Sequence, residues 1–264
     1  MKRIHFFEFE DLPWFPDWIR RCMTAYLKSL HRTLGTAEII APLVNRGLRV
    51  SNIRIVDLCS GAGGPMIDVV ESLRSQPAHS GLSLVLTDLY PNGEVVERIN
   101  SSRNNWMRYE TTPIDAASVP NELKGLRTMI CSFHHMRPKV ATKILQDAVE
   151  KKQPLLAFEI SDNSLPLWLG WPSIPIGFLL SLVMTLRVRP LTLKQVFFTY
   201  CLPVIPLFLA WDAAVSNART YTKNDLQELL TQFESVNFDW EIEAVKVRGL
   251  PMAMLYILGM PRSS

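Results

Sequence analysis

The stretch RIVDLCSGAGGPMIDVV, residues 54–70, constrains the fold more than any other part of the chain. A β-branched apolar run closes on Asp57, Gly61, Gly63 and Gly64 follow, and apolar residues then recur at helical spacing. A buried strand, a tight loop and a helix in this order form the first unit of a doubly wound α/β sheet. Such sheets bind ligands at the carboxyl ends of their strands, where the first strand turns into the first helix. Glycines there allow positive φ and a close approach of backbone to ligand. Pro65 suits the first helical turn. The bland alternative for Asp57 and the glycines is a structural turn.

The following sequence repeats the alternation. Strands are expected over Ile53–Leu58, Leu82–Asp88, Met107–Thr111, Thr128–Phe133 and Leu155–Ile160, and helices over Pro65–Arg74, Glu94–Arg103 and Pro138–Lys151. This order implies parallel strands joined by crossover helices. After Tyr221 the pattern changes. Thr222 is placed to cap a helix with Asp225 at its third position. WEIEAVKV then alternates, and MAMLYIL follows a turn containing Gly249 and Pro251, which reads as an antiparallel hairpin. A chain of 264 residues, 48% apolar and 20% charged, is long and apolar enough for one large α/β domain. We expect a single domain over 1–264: a helical cap (1–50), a core (51–161 and 216–264) and an apolar insertion (162–215).

The glycine loop also selects among cofactors. The dinucleotide fingerprint needs Gly or Ala where this chain has Met66, and a P-loop needs a Gly-Lys-Ser/Thr ending that is absent. Asp57, at the end of the first strand, would repel a pyrophosphate and attract a cationic amino group. Asp88 ends the second strand, close to the offset of about 20 residues at which an acid accepts ribose hydroxyls. A ligand with ribose, positive charge and no phosphate satisfies both acids, and S-adenosylmethionine is one.

The same residues carry a family resemblance. DLCSGAGG (Asp57, Ser60, Gly61, Gly63, Gly64) resembles the first motif of class I S-adenosylmethionine-dependent methyltransferases, and LVLTDLYPN (Asp88, Leu89) their second-strand motif. PIDAASVP places Asp115 and Ala116 where the family holds the adenine, and MICSFHHM, from Ser132 to His135, resembles the fourth-strand segment of small-molecule members. The resemblance covers about residues 50–161 and 221–260. It implies a Rossmann-like, mostly parallel sheet with an antiparallel C-terminal hairpin, and S-adenosylmethionine as methyl donor. Members that methylate planar amide or adenine nitrogens carry Asn/Asp-Pro-Pro-Tyr/Phe where this chain has Ser-Phe-His-His, which argues against a DNA N-methyltransferase. The rival readings are a nicotinamide oxidoreductase, disfavoured by Met66 and Asp57, and a non-catalytic adenosyl-ligand-binding module.

Methyl transfer from a sulfonium is an in-line displacement, so orientation is the main demand, worth about 7–11 kcal/mol at best. A base is needed only for a hydroxyl or weakly acidic carbon acceptor. His134 and His135 have suitable chemistry. On an extended segment they point opposite ways, so one at most should face the pocket. The alternative is a packed, hydrogen-bonded pair. No further Cys/His cluster lies near them in sequence, and no metal is expected. A second candidate group is WDAAVSNARTY, residues 211–221: Asp212, Ser216 and Arg219 share a helical face and lead into Tyr221. That face either looks toward the acceptor or is a solvated surface set.

From Asn163 to Leu186 and from Gln195 to Trp211 the chain is uncharged. Pro166, Pro172 and Pro175 are expected to break the first run, leaving a clean helix from Ile176 to Leu186; Pro203 and Pro206 interrupt the second. A monotopic membrane element fits this pattern, with tryptophans and arginines at headgroup level; an apolar lid or subunit interface is the soluble alternative. Either suits a small hydrophobic or lipid-like acceptor. A net charge of +3 without a basic stripe argues against nucleic acid. The dispersed Cys22, Cys59, Cys131 and Cys201 suggest reduced thiols, hence the cytoplasmic face of the membrane. Trp14, Phe15 and Trp18, around Pro16, are expected to pack the first helix onto the main domain or to cap a pocket.

Overall fold

The computed structural model describes residues 1, 3–51, 53–164, 170–233, 236–246 and 253–262. Five parallel strands form its centre: β1 (Arg54–Asp57), β2 (Ser83–Leu86), β3 (Met107–Tyr109), β4 (Leu126–Ile130) and β5 (Leu155–Glu159). β6 (Phe238–Lys246) and β7 (Ala253–Pro261) form an antiparallel hairpin, and β7 pairs antiparallel with β5. The sheet order is β3-β2-β1-β4-β5-β7-β6. Strand order reverses beside β1, which places the switch-point crevice at its carboxyl end, above Asp57.

Alternate residues of the central strands enter two cores. Ile55, Leu84, Leu86, Leu156 and Phe158 face helices α2 (Thr36–Leu48), α3 (Met66–Arg74) and α4 (Gly93–Asn100). Val56, Val85, Leu155 and Ala157 face α5 (Pro138–Glu150) and α9 (Lys223–Leu230). Burial on both faces explains the nearly unbroken apolar runs of these strands. α9 starts with the expected capping box: Thr222 Oγ1 accepts the Asp225 N–H at 3.1 Å, and Asp225 Oδ2 accepts the Thr222 N–H at 3.0 Å.

A third core joins the N-terminal helix α1 (Asp17–Leu34) to the insertion. Phe15, Ile19, Met23 and Tyr26 pack against Met184, Val188, Ile205 and Leu209, which belong to α6 (Gly170–Thr185), the turn after it, and α8 (Val204–Arg219). Two of the three N-terminal aromatics dock on the insertion, Phe15 meeting the Phe208 ring at 5.1 Å and Trp18 meeting Phe198 at 4.6 Å, while Trp14 is exposed. The cap expected over 1–50 divides in two, because the apolar stripe of α2 lies against the sheet.

Pro172 and Pro175 do not break the first apolar run; both lie inside α6. Pro172 stands in the first turn, where a missing N–H removes no intrahelical hydrogen bond, whereas Pro175, the sixth residue, is accommodated inside the helix. The second run does break, at Pro203, whereas Pro206 lies within the first turn of the helix that follows. α7 (Leu193–Val196) continues as a π turn over Phe197–Cys201, and after Leu202–Pro203 the chain enters α8. Among the described residues no single helix is long and apolar enough to cross a membrane; the segments Leu193–Cys201 and Val204–Arg219 qualify only together, with a bend of 78° between them. Pro166, Gly249 and Pro251 lie outside the described residues.

Candidate functional site

Asp57 closes β1, where its buried carboxylate accepts a hydrogen bond from Thr128 Oγ1 at 2.6 Å. Burial pushes its pKa up to about 7, although the hydroxyls of Thr128 and Ser60 favour the ionised form. The buried Ser60 links β1 to β2: its Oγ donates to Asp57 O at 2.8 Å, and its N–H to Thr87 O at 2.9 Å. Gly61, Gly63 and Gly64 take φ of 51°, 98° and 46°. At Gly63 the φ of 98° demands glycine, and an added Cβ would also lie 2.6 Å from Ile67 Cδ1, the movable end of that side chain. Tyr109 Oη donates to Gly61 O at 3.0 Å and ties the loop to β3.

Asp88 follows β2 directly. Its carboxylate accepts the N–H of Gly61 and that of Tyr90, both at 2.9 Å. The acid expected to hold ribose therefore stands at the glycine loop itself. Leu89 is exposed beside it. The Asp115 loop reaches the same edge, since the Ile114 N–H donates to Asp88 O at 2.8 Å. Asp115 is exposed, with its carboxylate accepting the Ala117 N–H at 2.8 Å, and Ala116 is buried. Ser132, at the end of β4, is buried with its hydroxyl unpartnered among the described residues. All the residues proposed for the donor thus line one carboxyl edge of the sheet.

The histidines depart from expectation. β4 ends at Ile130, Cys131 takes a φ of 53°, and Phe133–His135 coil into a 3₁₀ turn. Residues on such a turn do not alternate, so the rings of His134 and His135 stack at 4.3 Å and face one cluster together. His134 Nδ1 lies 2.8 Å from Glu159 Oε2, and its N–H donates to Glu159 Oε1 at 3.0 Å. His135 Nδ1 lies 3.3 Å from Asp11 Oδ1. Both Nε2 atoms turn toward Glu8, at 3.9 Å for His134 and 3.7 Å for His135.

The 211–221 segment does share one face, and that face holds the N-terminal segment. Asp212 accepts the N–H groups of Phe9 and Glu10 at 2.8 and 3.2 Å. Burial raises its pKa to about 6, and those backbone bonds hold it back. Ser216 Oγ donates to Glu8 Oε1 at 3.0 Å. Arg219 Nη1 meets Glu8 Oε1 at 3.0 Å, Asp11 Oδ2 at 2.8 Å and His135 Nδ1 at 3.1 Å. Burial pushes Glu8 up to about 7 against the opposing charges of His135 and Arg219. For Asp11 burial also acts upward, but the hydrogen bonds and charges of His135 and Arg219 outweigh it and bring the carboxyl down to about 2. Tyr221 is buried in the core, where its hydroxyl donates to Met136 O at 2.7 Å and receives Arg3 Nη1 at 3.1 Å. That arrangement positions the 3₁₀ turn and gives Tyr221 a supporting place. Glu8, Asp11 and Glu159 complete the cluster, and sequence reasoning missed them. Nothing in the local pattern of FEFED, residues 7–11, ties it to α8.

No family model matches the chain, and no curated protein matches it. Among solved structures it is similar to the plantazolicin methyltransferase BpumL in complex with SAH, with a TM-score of 0.53 at 10% identity, over 93% of this chain and 98% of that one. It is also similar to the methyltransferase domain of bacterial CtHen1-C, with a TM-score of 0.52 at 8% identity, over 89% of this chain and all (100%) of that one. With β3-β2-β1-β4-β5-β7-β6 order, a glycine loop after β1 and an acid after β2, this chain has the Rossmann-like fold of the class I S-adenosylmethionine-dependent methyltransferases.

Proposed function

We propose that the protein transfers a methyl group from S-adenosylmethionine to a small, hydrophobic or lipid-like acceptor by in-line displacement. The observation that carries this reading is the apposition of Asp88 and the positive-φ glycine loop at the switch point, with Asp57 behind them. Asp88 gives ribose an acceptor, Asp57 gives the donor's positive charge a counter-ion, and the bare loop leaves room for the ligand backbone. The cluster of Glu8, His134 and His135 at the end of β4 is the place to orient an acceptor and to receive its proton where the acceptor requires a base.

An apolar acceptor is supported by the insertion. Ile176, Leu179, Leu180, Val183 and Leu186 on and after α6 are exposed, as are Leu193, Phe197, Leu202 and Leu207. Apolar exposure on this scale suits a membrane surface or an apolar ligand. We place the protein at the cytoplasmic face, a reading that the four free thiols support. Isothermal titration with S-adenosylhomocysteine, NADH and NADPH tests the donor: the first alone is expected to bind. Mass spectrometry of lipid extracts incubated with protein and labelled donor then reads the acceptor. Donor binding without turnover on any extract would favour the non-catalytic module.

A further inference from the structure

We propose that Glu8, His134 and His135 form a site for one divalent transition cation of the zinc type, held by the Glu8 carboxylate and the two Nε2 atoms. The three side chains place one ligand atom each within 4.8 Å of the others. A tetrahedral cation with bonds of about 2.1 Å holds its ligands about 3.4 Å apart. His135 Nε2 lies 3.7 Å from Glu8 Oε2, a small contraction away from that, and His134 Nε2 lies 3.9 Å from the other oxygen of the same carboxylate, Oε1.

Two orphaned atoms point to the ligand. Glu8 Oε2 and His134 Nε2 are buried and have no hydrogen-bond partner among the described residues. Buried polar atoms left without partners call for a missing ligand or ion. The imidazole tautomers sharpen this. When Nδ1–H of His134 donates to Glu159, its Nε2 carries a lone pair; for His135 the same tautomer requires Nδ1–H to donate to Asp11, with Arg219 Nη1, 3.1 Å from that nitrogen, directed to Glu8 and Asp11 instead. Those lone pairs then face the oxygens of Glu8 with nothing positive between them. A cation at that point turns mutual repulsion into three bonds. A carboxylate behind each ligating histidine is also the usual support that fixes ring orientation and raises ligand basicity.

Charge agrees. Glu8, Asp11 and Glu159 are opposed in the cluster by the Arg219 guanidinium. Arg219 occupies the outer oxygens, Glu8 Oε1 and Asp11 Oδ2, and leaves Oε2 to the interior. The nearby Arg3 directs its donors to the carbonyls of His134, Met136 and Arg219 and to Tyr221. Two imidazoles and one carboxylate match zinc-type sites that keep an open coordination position, whereas magnesium and calcium prefer oxygen ligands throughout. The side chains of His135 and Asp11, 26% and 40% exposed, give the cation a way in and leave that position on the accessible side. The open position would take an acceptor oxygen.

The full-length protein, stripped with chelator and dialysed, is titrated with zinc chloride and with cobalt chloride. One equivalent of each is expected to bind, with visible cobalt bands of low-symmetry nitrogen–oxygen coordination. Glu8→Gln and His135→Ala should each weaken binding by about 100-fold or more, and Glu159→Gln by about 10–100-fold through loss of its hold on His134. Unfolding curves verify that each variant folds; His135→Gln replaces His135→Ala if the latter does not. Absence of saturable binding by the wild-type protein overturns the proposal, as does binding that Glu8→Gln and the His135 variant leave unchanged. The site does not depend on the donor reading: failure to bind S-adenosylhomocysteine would remove methyl transfer and leave cation binding to be judged by its own titration.

Discussion

The guanidinium of Arg219, at the end of α8, meets the carboxylate of Glu8 at 3.0 Å with both side chains buried. The same guanidinium donates to Asp11 and, through Nε and Nη2, to the carbonyl of Phe6. One residue thus fastens the N-terminal segment over the turn bearing His134 and His135. Removing one partner of such a pair strands a buried charge, at about 3–5 kcal/mol. Arg219→Ala should lower unfolding stability by that order and expose residues 6–11 to limited proteolysis. Arg219→Lys should restore little, since a single ammonium cannot serve both carboxylates and the carbonyl. A variant with wild-type stability and protection would show that the segment is held by other contacts.

Asp88→Ala is expected to weaken S-adenosylhomocysteine binding by about 1.5–3 kcal/mol, the range for hydrogen bonds to a charged group. Titration calorimetry on a variant with an unaltered circular dichroism spectrum measures it. Unchanged affinity would take Asp88 out of the ribose role.

With Asp57 in the proposed counter-ion role, its raised pKa, about 7, is expected to make donor binding pH-dependent. Between the unfolded value near 4 and this folded value, the native state holds a proton that the unfolded chain has lost. The stability associated with Asp57 therefore declines as pH rises from about 4 to 7. A cationic donor favours the ionised carboxylate and should release a proton on binding near pH 6.5. Calorimetry in buffers of different ionisation enthalpy reads that release, and affinity should rise from pH 6 to pH 8. Asp57→Asn should abolish both effects; their persistence in that variant would assign them to another group.

Gly63→Ala combines a φ of 98° with a Cβ 2.6 Å from Ile67 Cδ1. The strain alone is of order 1–3 kcal/mol. We expect reduced stability together with weakened donor binding, because alanine strains the loop backbone at this φ and displaces the Ile67 side chain. Gly81→Ala, with open space at the added Cβ and an ordinary φ, is the control and should behave as wild type.

A protein presenting the exposed apolar residues of α6 should float with anionic liposomes. High salt should reduce flotation only in part, by screening Arg187, Arg189 and Lys194 and not the apolar contact. Leu179→Glu with Val183→Glu should end flotation and leave the thermal transition in place, both positions being exposed. Failure of the wild-type protein to associate with liposomes would make the insertion a lid or subunit interface.

Local patterning made much of this protein legible. The alternation of apolar strands and amphipathic helices, the Thr222–Asp225 capping box and the β6–β7 hairpin all depend on neighbours a few residues apart, and short-range pattern is what such signals record. The glycine loop belongs with them, since φ preference is a property of the residue itself. Local rules misplaced what depends on context. Pro172 remains in α6 because its place in the first turn removes the usual penalty, and Pro175 is carried inside the helix in spite of it. Extended geometry was assumed for the histidines, but the strand ends at Ile130 and the 3₁₀ turn brings both rings to one side.

The sequence by itself determined the order of elements, the positive-φ glycine loop after β1, and the acids Asp57 and Asp88 beside it. Only the tertiary structure decided the cluster around Glu8. Glu8, His134, Glu159 and Arg219 come from four separate segments, and no spacing rule connects them. They meet because Asp212 and Arg219 of α8 bind the backbone and acids of the N-terminal segment, while the third apolar core holds α1 against the insertion. A buried ionic cluster requires several partners to be desolvated together, and that condition is met by packing, which no single stretch of the chain encodes.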